Sequence, residues 1–379
     1  MHADAGPAPK TGGSGAAVRI GPHAVVKVAA AGEAAKLDAE ARWLVRITGA
    51  DVPPRVRRHF PAVLRSPGNG RDELVLQRLP GVDARSAVLS GGASADRALA
   101  LAGDVVRFAF GDLAALDVRR PGWPTGRWCA EHLRTGLDRA RRVHPAVDRV
   151  LGAQRVRVAG ADLPNPLRDG GRSLGRLLAS LRPPRTLLLH GDLHLGNVLV
   201  DQRAGDFFLI DPRGGWGGEP TFDPAYDIAK LLHETHYVSV RQELPAMLFT
   251  DAGGRVDFAH APLPVPVAAA ERLARLAVAG TSLATTACRV LRREDPELCA
   301  RATLLTGVLL VTVLRLPHTV GYQWSTLLAH GLAWLAAGEQ AVTRGYGLER
   351  CTRLWRALTA EAVPDPGPRV LADALQESG

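Results

Sequence analysis

Apolar positions recur with two different periods along this chain, and the change of period divides it. Up to about residue 80 the apolar runs are short: AAVRI, a Gly21-Pro22 turn and AVVKV read as a β-hairpin, and DELVLQRLPG, residues 72–81, reads as a strand ending in a Pro-Gly turn. Between them, GEAAKLDAEARWLVRITG carries Leu37, Ala41, Leu44 and Val45 at helical spacing and stops at Gly49. Residues 50–71 read as loop and strand punctuated by Pro53-Pro54. From Ser94, an N-cap candidate, the period becomes helical through residue 117, and a second helix is expected over Gly126–Val150. AGADLPNPLRDGG, residues 159–171, reads as a Pro/Gly-rich connection, and a short helix follows it up to Pro183-Pro184. Two apolar strands come next, Thr186–Leu189 and Phe207–Ile210, each delivering polar residues at its end, with Val198–Val200 as a third short strand between them. MLFTDAGGRVDF, residues 247–258, predicts a hairpin turning at Gly253-Gly254. Four or five helices complete the chain, at about 266–280, 282–293, 296–316, 323–343 and 348–361, with Pro317 between the third and fourth of these.

Composition narrows the class. With 379 residues, 46% hydrophobic and 22% charged, the chain can bury a substantial core, which excludes wholesale disorder. The net charge of +9 comes almost entirely from arginine and, taken alone, would favour a polyanionic partner. Its distribution argues otherwise: residues 190–260 hold eleven Asp/Glu against five Arg/Lys, so an acidic segment lies on a basic molecule and nucleic acid is not an expected partner. An acidic acceptor groove would suit a cationic or neutral substrate. Cys129, Cys288, Cys299 and Cys351 form no C-x-x-C pair, so neither a zinc knuckle nor a disulfide framework is expected, and the cytoplasm is the expected compartment. The first fifteen residues contain no apolar core of the length a secretion signal needs. Leu304–Leu314, the longest apolar run, is too short for a bilayer and predicts a buried helix.

The candidate chemistry lies in residues 187–214, LLLHGDLHLGNVLVDQRAGDFFLIDPRG. Asp192 is followed by Asn197 and then by Asp211, and such hard oxygen ligands suit the magnesium that accompanies nucleotide phosphates. Asn197 and Asp211 fit the metal role, and Asp192 that of a base that orients an acceptor hydroxyl and takes its proton. Upstream, Gly12-Gly13-Ser14-Gly15 reads either as a phosphate-approaching loop with Ser14 as donor or as a floppy leader. HETH, residues 233–236, lacks the i, i+4 histidine spacing of a zinc helix.

The order Asp, Asn, Asp resembles that of protein-kinase catalytic loops, with His190-Gly191-Asp192 and Asp211-Pro212-Arg213-Gly214 as departures. HGDLHLGN, residues 190–197, resembles the catalytic loop of the aminoglycoside phosphotransferase and choline kinase-like family. Within it, LIDPRG followed by GEPTFD is similar to streptomycin-type phosphotransferases, whereas AYDIAKLLHETH departs from them. The resemblance implies an α+β, protein-kinase-like two-lobed fold: a flexible leader over 1–11, a small mixed-sheet nucleotide lobe over 12–80 and a mainly helical lobe over 81–379. It implies that Lys27 reaches the α- and β-phosphates and is held by a helix glutamate, Glu40 or in reserve Glu33. Backbone groups near Gln77, Arg78 and Leu79 would meet the adenine, His190 would support the loop, and Asp227 would bond its backbone. ATP and Mg²⁺ are the implied cofactors. The implied activity is O-phosphorylation of a small polar acceptor such as an aminoglycoside-like antibiotic, an aminocyclitol or a sugar, and antibiotic resistance and sugar metabolism predict the same motifs. A silent nucleotide-binding module is the first alternative, favoured by the altered DPRG segment; a protein kinase ranks last, because no A-P-E segment follows Asp211. His318, Tyr322, Gln323 and Trp324 read either as acceptor-pocket groups or as core, and Trp216 either as a ring-stacking residue or as a loop anchor.

Overall fold

The computed structural model describes residues 10–11, 16–30, 34–67, 72–119, 125–216, 219–241, 247–252, 255–261, 266–291, 294–315 and 323–361. Strands β1 (Lys10–Thr11), β2 (Ala17–Ile20) and β3 (Ala24–Val28) open a sheet that helices α1 (Ala34–Thr48) and α2 (Pro54–Arg57) interrupt and that β4 (Val63–Arg65) and β5 (Glu73–Gln77) complete. Its order is β1-β2-β3-β5-β4 with every pairing antiparallel. Lys10 and Thr11, assigned by pattern to the leader, pair with Val18 and Ala17. Helix α1 turns Leu37, Ala41, Leu44 and Ile47 inward, and Glu40 is buried with them. Opposite, the most buried residue of β3 is its lysine, Lys27, paired across the sheet with Val18 and Leu74. Two charged side chains are thereby buried between a helix and a sheet, where each needs a partner.

Beyond β5 the chain becomes mainly helical. Strand β6 (Val82–Asp83) leads into α3 (Ala84–Ser90), which Asp83 caps by accepting the Ser86 N–H at 2.9 Å. Helix α4 (Gly92–Phe108) follows, so Ser94 is not its cap: it lies inside the helix and its hydroxyl meets Gln202 at 3.1 Å. After β7 (Val118–Arg119), the helix expected over 126–150 is two, α5 (Thr125–Val143) and α6 (Val147–Gly152), separated at Pro145, which has no N–H to continue the ladder. The stretch expected to be a connection at 159–171 begins inside a hairpin, β8 (Arg155–Val158) and β9 (Ala161–Pro164), turning at Ala159 and Gly160, both with positive φ.

Helix α7 (Arg172–Ser180) delivers the three strands on which the site is built: β10 (Thr186–Leu188), β11 (Val198–Asp201) and β12 (Asp206–Leu209). After β13 (Thr221–Phe222) and α8 (Ala225–Arg241) come β14 (Met247–Ala252) and β15 (Arg255–His260), then α9 (Val267–Leu291), α10 (Leu298–Val313), α11 (Gln323–Thr343) and α12 (Leu348–Ala360). Strand β10 is held between β7 and β13, and β11 between β12 and β6, while β14 and β15 join β8 and β9. Helix α9 is continuous where two helices were expected.

Helix α10 is apolar around its circumference and is buried from Leu298 to Thr312, packed against α5, α8 and α11. Its one ionic side chain, Arg301, is paired with Asp223 at 2.8 Å and with Asp295. No helix among the described residues is long and apolar enough to cross a membrane. The whole is a two-lobed α+β arrangement, an antiparallel sheet with its helix on one side and a helical body on the other.

Candidate active site

Leu187, Leu188 and Leu189 are buried, so the chain leaves β10 in a fixed direction and enters the polar loop His190–Asn197. Helix α8 holds that loop by its backbone. Asp227 accepts the Gly191 N–H at 3.1 Å and the Leu193 N–H at 3.4 Å; two turns on, Glu234 accepts Leu195 N–H at 2.7 Å and Gly196 N–H at 3.2 Å. Arg85 of α3 neutralises Glu234 at 2.6 Å. Burial pushes the Asp227 carboxyl up to about 7, against the pull of its two N–H donors. The sequence reading assigned loop contact to Asp227 and set Glu234 aside with HETH. The available signal was the spacing: Asp227, Lys230 and Glu234 lie at i, i+3 and i+7, one face of a helix that is otherwise almost entirely buried.

His190 is fully buried and links the loop to the next strand. Its Nε2 lies 2.9 Å from the Ile210 carbonyl, which can only accept, so Nε2 carries the proton and Nδ1 receives the Asp192 N–H at 3.3 Å. Burial pushes the ring down to about 4, which keeps it neutral. The Asn197 carbonyl accepts the Ile210 N–H at 3.0 Å and the His190 carbonyl accepts the Arg213 N–H at 2.8 Å, so the segments carrying Asp192, Asn197 and Asp211 form one backbone knot. Asp211 itself is held at φ 57°, a conformation that non-glycine residues rarely adopt.

Lys27 reaches into this knot from the sheet. Its ammonium lies 2.5 Å from Glu40 and also donates to Asp211. Burial would lower it, and the Asp211 and Glu40 carboxylates outweigh that and hold it protonated. Glu33, the reserve partner, and Ser14 lie outside the described residues, as do His318 and Tyr322. At the junction between the lobes, the Gln77 and Arg78 N–H groups donate to Ala62 and His23 carbonyls, at 2.9 and 3.0 Å. Those two donors are therefore engaged, and the half-buried Leu79 retains an N–H without a hydrogen bond among the described residues. Trp216 is buried and stacked on Phe222 at 4.6 Å, which makes it a loop anchor, and Trp324 packs on His144 and Phe249.

Magnesium fits the donor set. Asn197 must turn its NH₂ toward the Asp192 carbonyl at 2.9 Å, which leaves the amide oxygen for a cation, and the Asp211 side chain is 45% accessible. Two hard oxygens do not make a complete cage, and no group of three or more His, Cys, Asp or Glu among the described residues could hold a metal. Such a site suits an ion that keeps phosphate oxygens and water as its remaining ligands.

Asp192 keeps 36% of its side chain accessible and lies 2.8 Å from Lys230 of α8. Burial would raise its carboxyl, but the Lys230 ammonium, followed by His194, holds it well below the usual carboxylate range. An ionised, reachable carboxylate thus stands beside two hard oxygen donors and a buried ammonium.

Nothing among curated proteins matches the chain. Among solved structures it is similar to a glucosamine kinase in crystal form B, at 16% identity and a TM-score of 0.43 over 90% of this chain and 78% of that one. It is likewise similar to a glucosamine kinase in complex with glucosamine, ADP and inorganic phosphate, at 16% identity and a TM-score of 0.45 over 86% and 78%. The profile of the phosphotransferase enzyme family matches residues 10–259, from the first strand into β15 and through every site segment described above. The chain belongs to the phosphotransferase enzyme family.

Proposed function

We propose that the protein transfers the γ-phosphoryl group of ATP, with Mg²⁺, to a hydroxyl of a small polar molecule, an aminoglycoside-like antibiotic, an aminocyclitol or a sugar. The reading is supported above all by one observation: Asp192, Asn197 and Asp211 share a backbone knot that the ammonium of Lys27 enters from the opposite lobe. In this reading Lys27, positioned by Glu40, grips the α- and β-phosphates, and the open N–H of Leu79 receives the adenine edge. A magnesium ion held by the Asn197 amide oxygen and the Asp211 carboxylate supplies charge neutralisation at the phosphate oxygens.

Asp192 accepts the hydrogen bond of the acceptor hydroxyl, orients its oxygen for in-line attack and takes its proton as the bond to phosphorus forms. A carboxylate paired with an ammonium 2.8 Å away is a weakened base, which suits a loose transition state in which the proton leaves late. Its first task is therefore orientation. His190 acts as a neutral strut that fixes the Asp192 backbone, and Asp227 and Glu234 hold the loop.

ADP release by the purified full chain, assayed with Mg·ATP against aminoglycosides, aminocyclitols, neutral sugars and sugar acids, tests the reading. Acceptor-dependent release that EDTA abolishes is the expected result. Tight nucleotide binding without turnover on any acceptor would return the chain to a silent nucleotide-binding module.

A further inference from the structure

The side of the site next to Asp192 is cationic. Lys230, one of only four lysines in the chain, lies 2.8 Å from Asp192 and 5.9 Å from the ring centre of Tyr226. Arg213 donates to the hydroxyl of the same tyrosine at 2.9 Å. Its guanidinium lies 5.1 Å from the Trp128 ring, 5.8 Å from Tyr226 and 5.9 Å from Trp216. The base of the Arg213 side chain leaves the backbone directly against the loop: a Cβ on Gly191, the residue before Asp192, would stand 2.6 Å from Arg213 Cβ. One aromatic ring therefore carries two positive side chains at the edge of the proposed base.

Only one of the two has a carboxylate partner. Asp192 is engaged by Lys230, and Asp223 is engaged by Arg301 at 2.8 Å. Arg213 forms no ion pair among the described residues and rests only on π faces and a phenol. His132 is stacked on Trp128 at 4.7 Å, and burial first, then Arg315, Arg213, Lys230 and Arg139, push it down to about 3. A half-buried guanidinium without a counter-ion is costly, and its free N–H groups form a planar fork that matches an oxyanion. An ammonium brought to the same place would meet Arg213 as an uncompensated like charge.

We propose that the acceptor carries an anionic group, a carboxylate or a phosphate ester, and that Arg213 receives it with Lys230 alongside while the acceptor hydroxyl faces Asp192. This deepens the phosphotransferase reading and rests on it for the identity of the bound molecule as acceptor. It narrows the acceptor to an acid-bearing sugar or polyol and sets polycationic aminoglycosides aside.

Trp128 and Trp216 flank Arg213, so tryptophan fluorescence of the full chain reads the site. With Mg²⁺ and a non-hydrolysable ATP analogue filling the triphosphate site, the chain is titrated with glucosamine 6-phosphate against glucosamine and with glucuronate against glucose. The two pairs separate a phosphate ester from a carboxylate. Saturable binding is expected for the acid member of at least one pair, weakened at least about tenfold in Arg213→Gln. Equal binding of the neutral or cationic member, or anion binding indifferent to Arg213→Gln, overturns the proposal. Should that variant fail to fold, Arg213→Lys, which keeps the charge but not the fork, is expected to bind at least about threefold more weakly, and unchanged affinity overturns the proposal equally. ADP release on the same pairs separates the two claims. Turnover favouring neutral or cationic members removes the anion site and leaves the phosphotransferase; saturable anion binding with no transfer to any member supports the site and removes its identity as the acceptor site.

Discussion

Lys27 shows how far the role of one side chain depends on its neighbours. In sequence it is a lysine in an apolar strand, a pattern that usually means a solvent-facing residue. In the fold it is 7% accessible and balances a buried glutamate and the aspartate of the second strand end. Removing the cation leaves Glu40 buried and uncompensated, so Lys27→Met should lower unfolding free energy by roughly 3–5 kcal/mol in addition to weakening ATP use. Urea denaturation measures the first effect, and a loss below about 1 kcal/mol would mean that Glu40 is not held by this pair. The residues at 190, 192, 197 and 211 were legible in sequence because each sits a fixed step from a short apolar run. Lys230, Glu234 and Arg85 were not, because what they do depends on contacts with residues dozens of positions away. Nothing in HETH says that its glutamate faces the Leu195 and Gly196 N–H groups.

Helix α8 is the element that turns the fold into a site. Its first N–H, that of Ala225, is accepted by Asp223, whose position is fixed by Arg301 of α10, and it presents Asp227, Lys230 and Glu234 along one face to the loop. Glu234→Ala would leave the Leu195 N–H without its acceptor and the Gly196 N–H and Arg85 with only His194, while touching no substrate. Its predicted signature is a fall in kcat of about 10- to 100-fold with a smaller change in KM for ATP, because the loop, and not the nucleotide grip, is loosened. Equal activity would mean that Asp227 alone positions the loop. Arg301→Met strands Asp223 and Asp295 in the core and should lower unfolding free energy by roughly 3–5 kcal/mol, readable as a shift in urea midpoint; an unchanged midpoint would contradict the role given to the triad.

The errors of pattern reading also sit at this scale. Gly280-Thr281 reads as a break, yet α9 runs through it. The glycine serves close packing, since a Cβ there would stand 2.9 Å from the Leu231 carbonyl of α8. The β8–β9 hairpin was hidden because Pro164 and Pro166 suggested a loop, while the alternation of Arg155, Val156, Arg157 and Val158 was the signal to follow.

Across the whole molecule, a count of charges along the sequence proved a poor guide to the field at the site. The acid surplus of residues 190–260 predicted an acidic groove, but its carboxylates are largely spent: Asp206 on Arg58, Asp211 on Lys27, Asp223 on Arg301, Glu234 on Arg85 and Asp251 on Arg149, with Asp227 on backbone N–H groups. The charged side chain left without an ion pair beside Asp192 among the described residues is Arg213. Burial also leaves a signature in pH. His190, His132, His233 and His330 are pushed down to between about 3 and 4 by burial, and His236 well below its ordinary value. A histidine lowered in the fold gives its full stabilisation above pH 6.5 and loses it as pH falls toward the folded value, each costing about 1.4 kcal/mol one unit below. Asp227 and Glu40, raised by burial to about 7, work the other way, but five groups outweigh two. Tm should therefore be lower at pH 5.5 than at pH 7.5, and an equal or higher value would mean that these rings are not held neutral in the core.

The central claim is that Asp192 acts on the acceptor while the other groups of the knot hold the nucleotide. The measurement that tests it most directly is phosphate transfer from Mg·ATP by Asp192→Ala, with nucleotide affinity determined in parallel on the same preparation. The account predicts transfer reduced by about 10²- to 10⁴-fold with ATP affinity within about threefold of the parent; transfer at the parent's rate, or loss of ATP binding in step with activity, would contradict it.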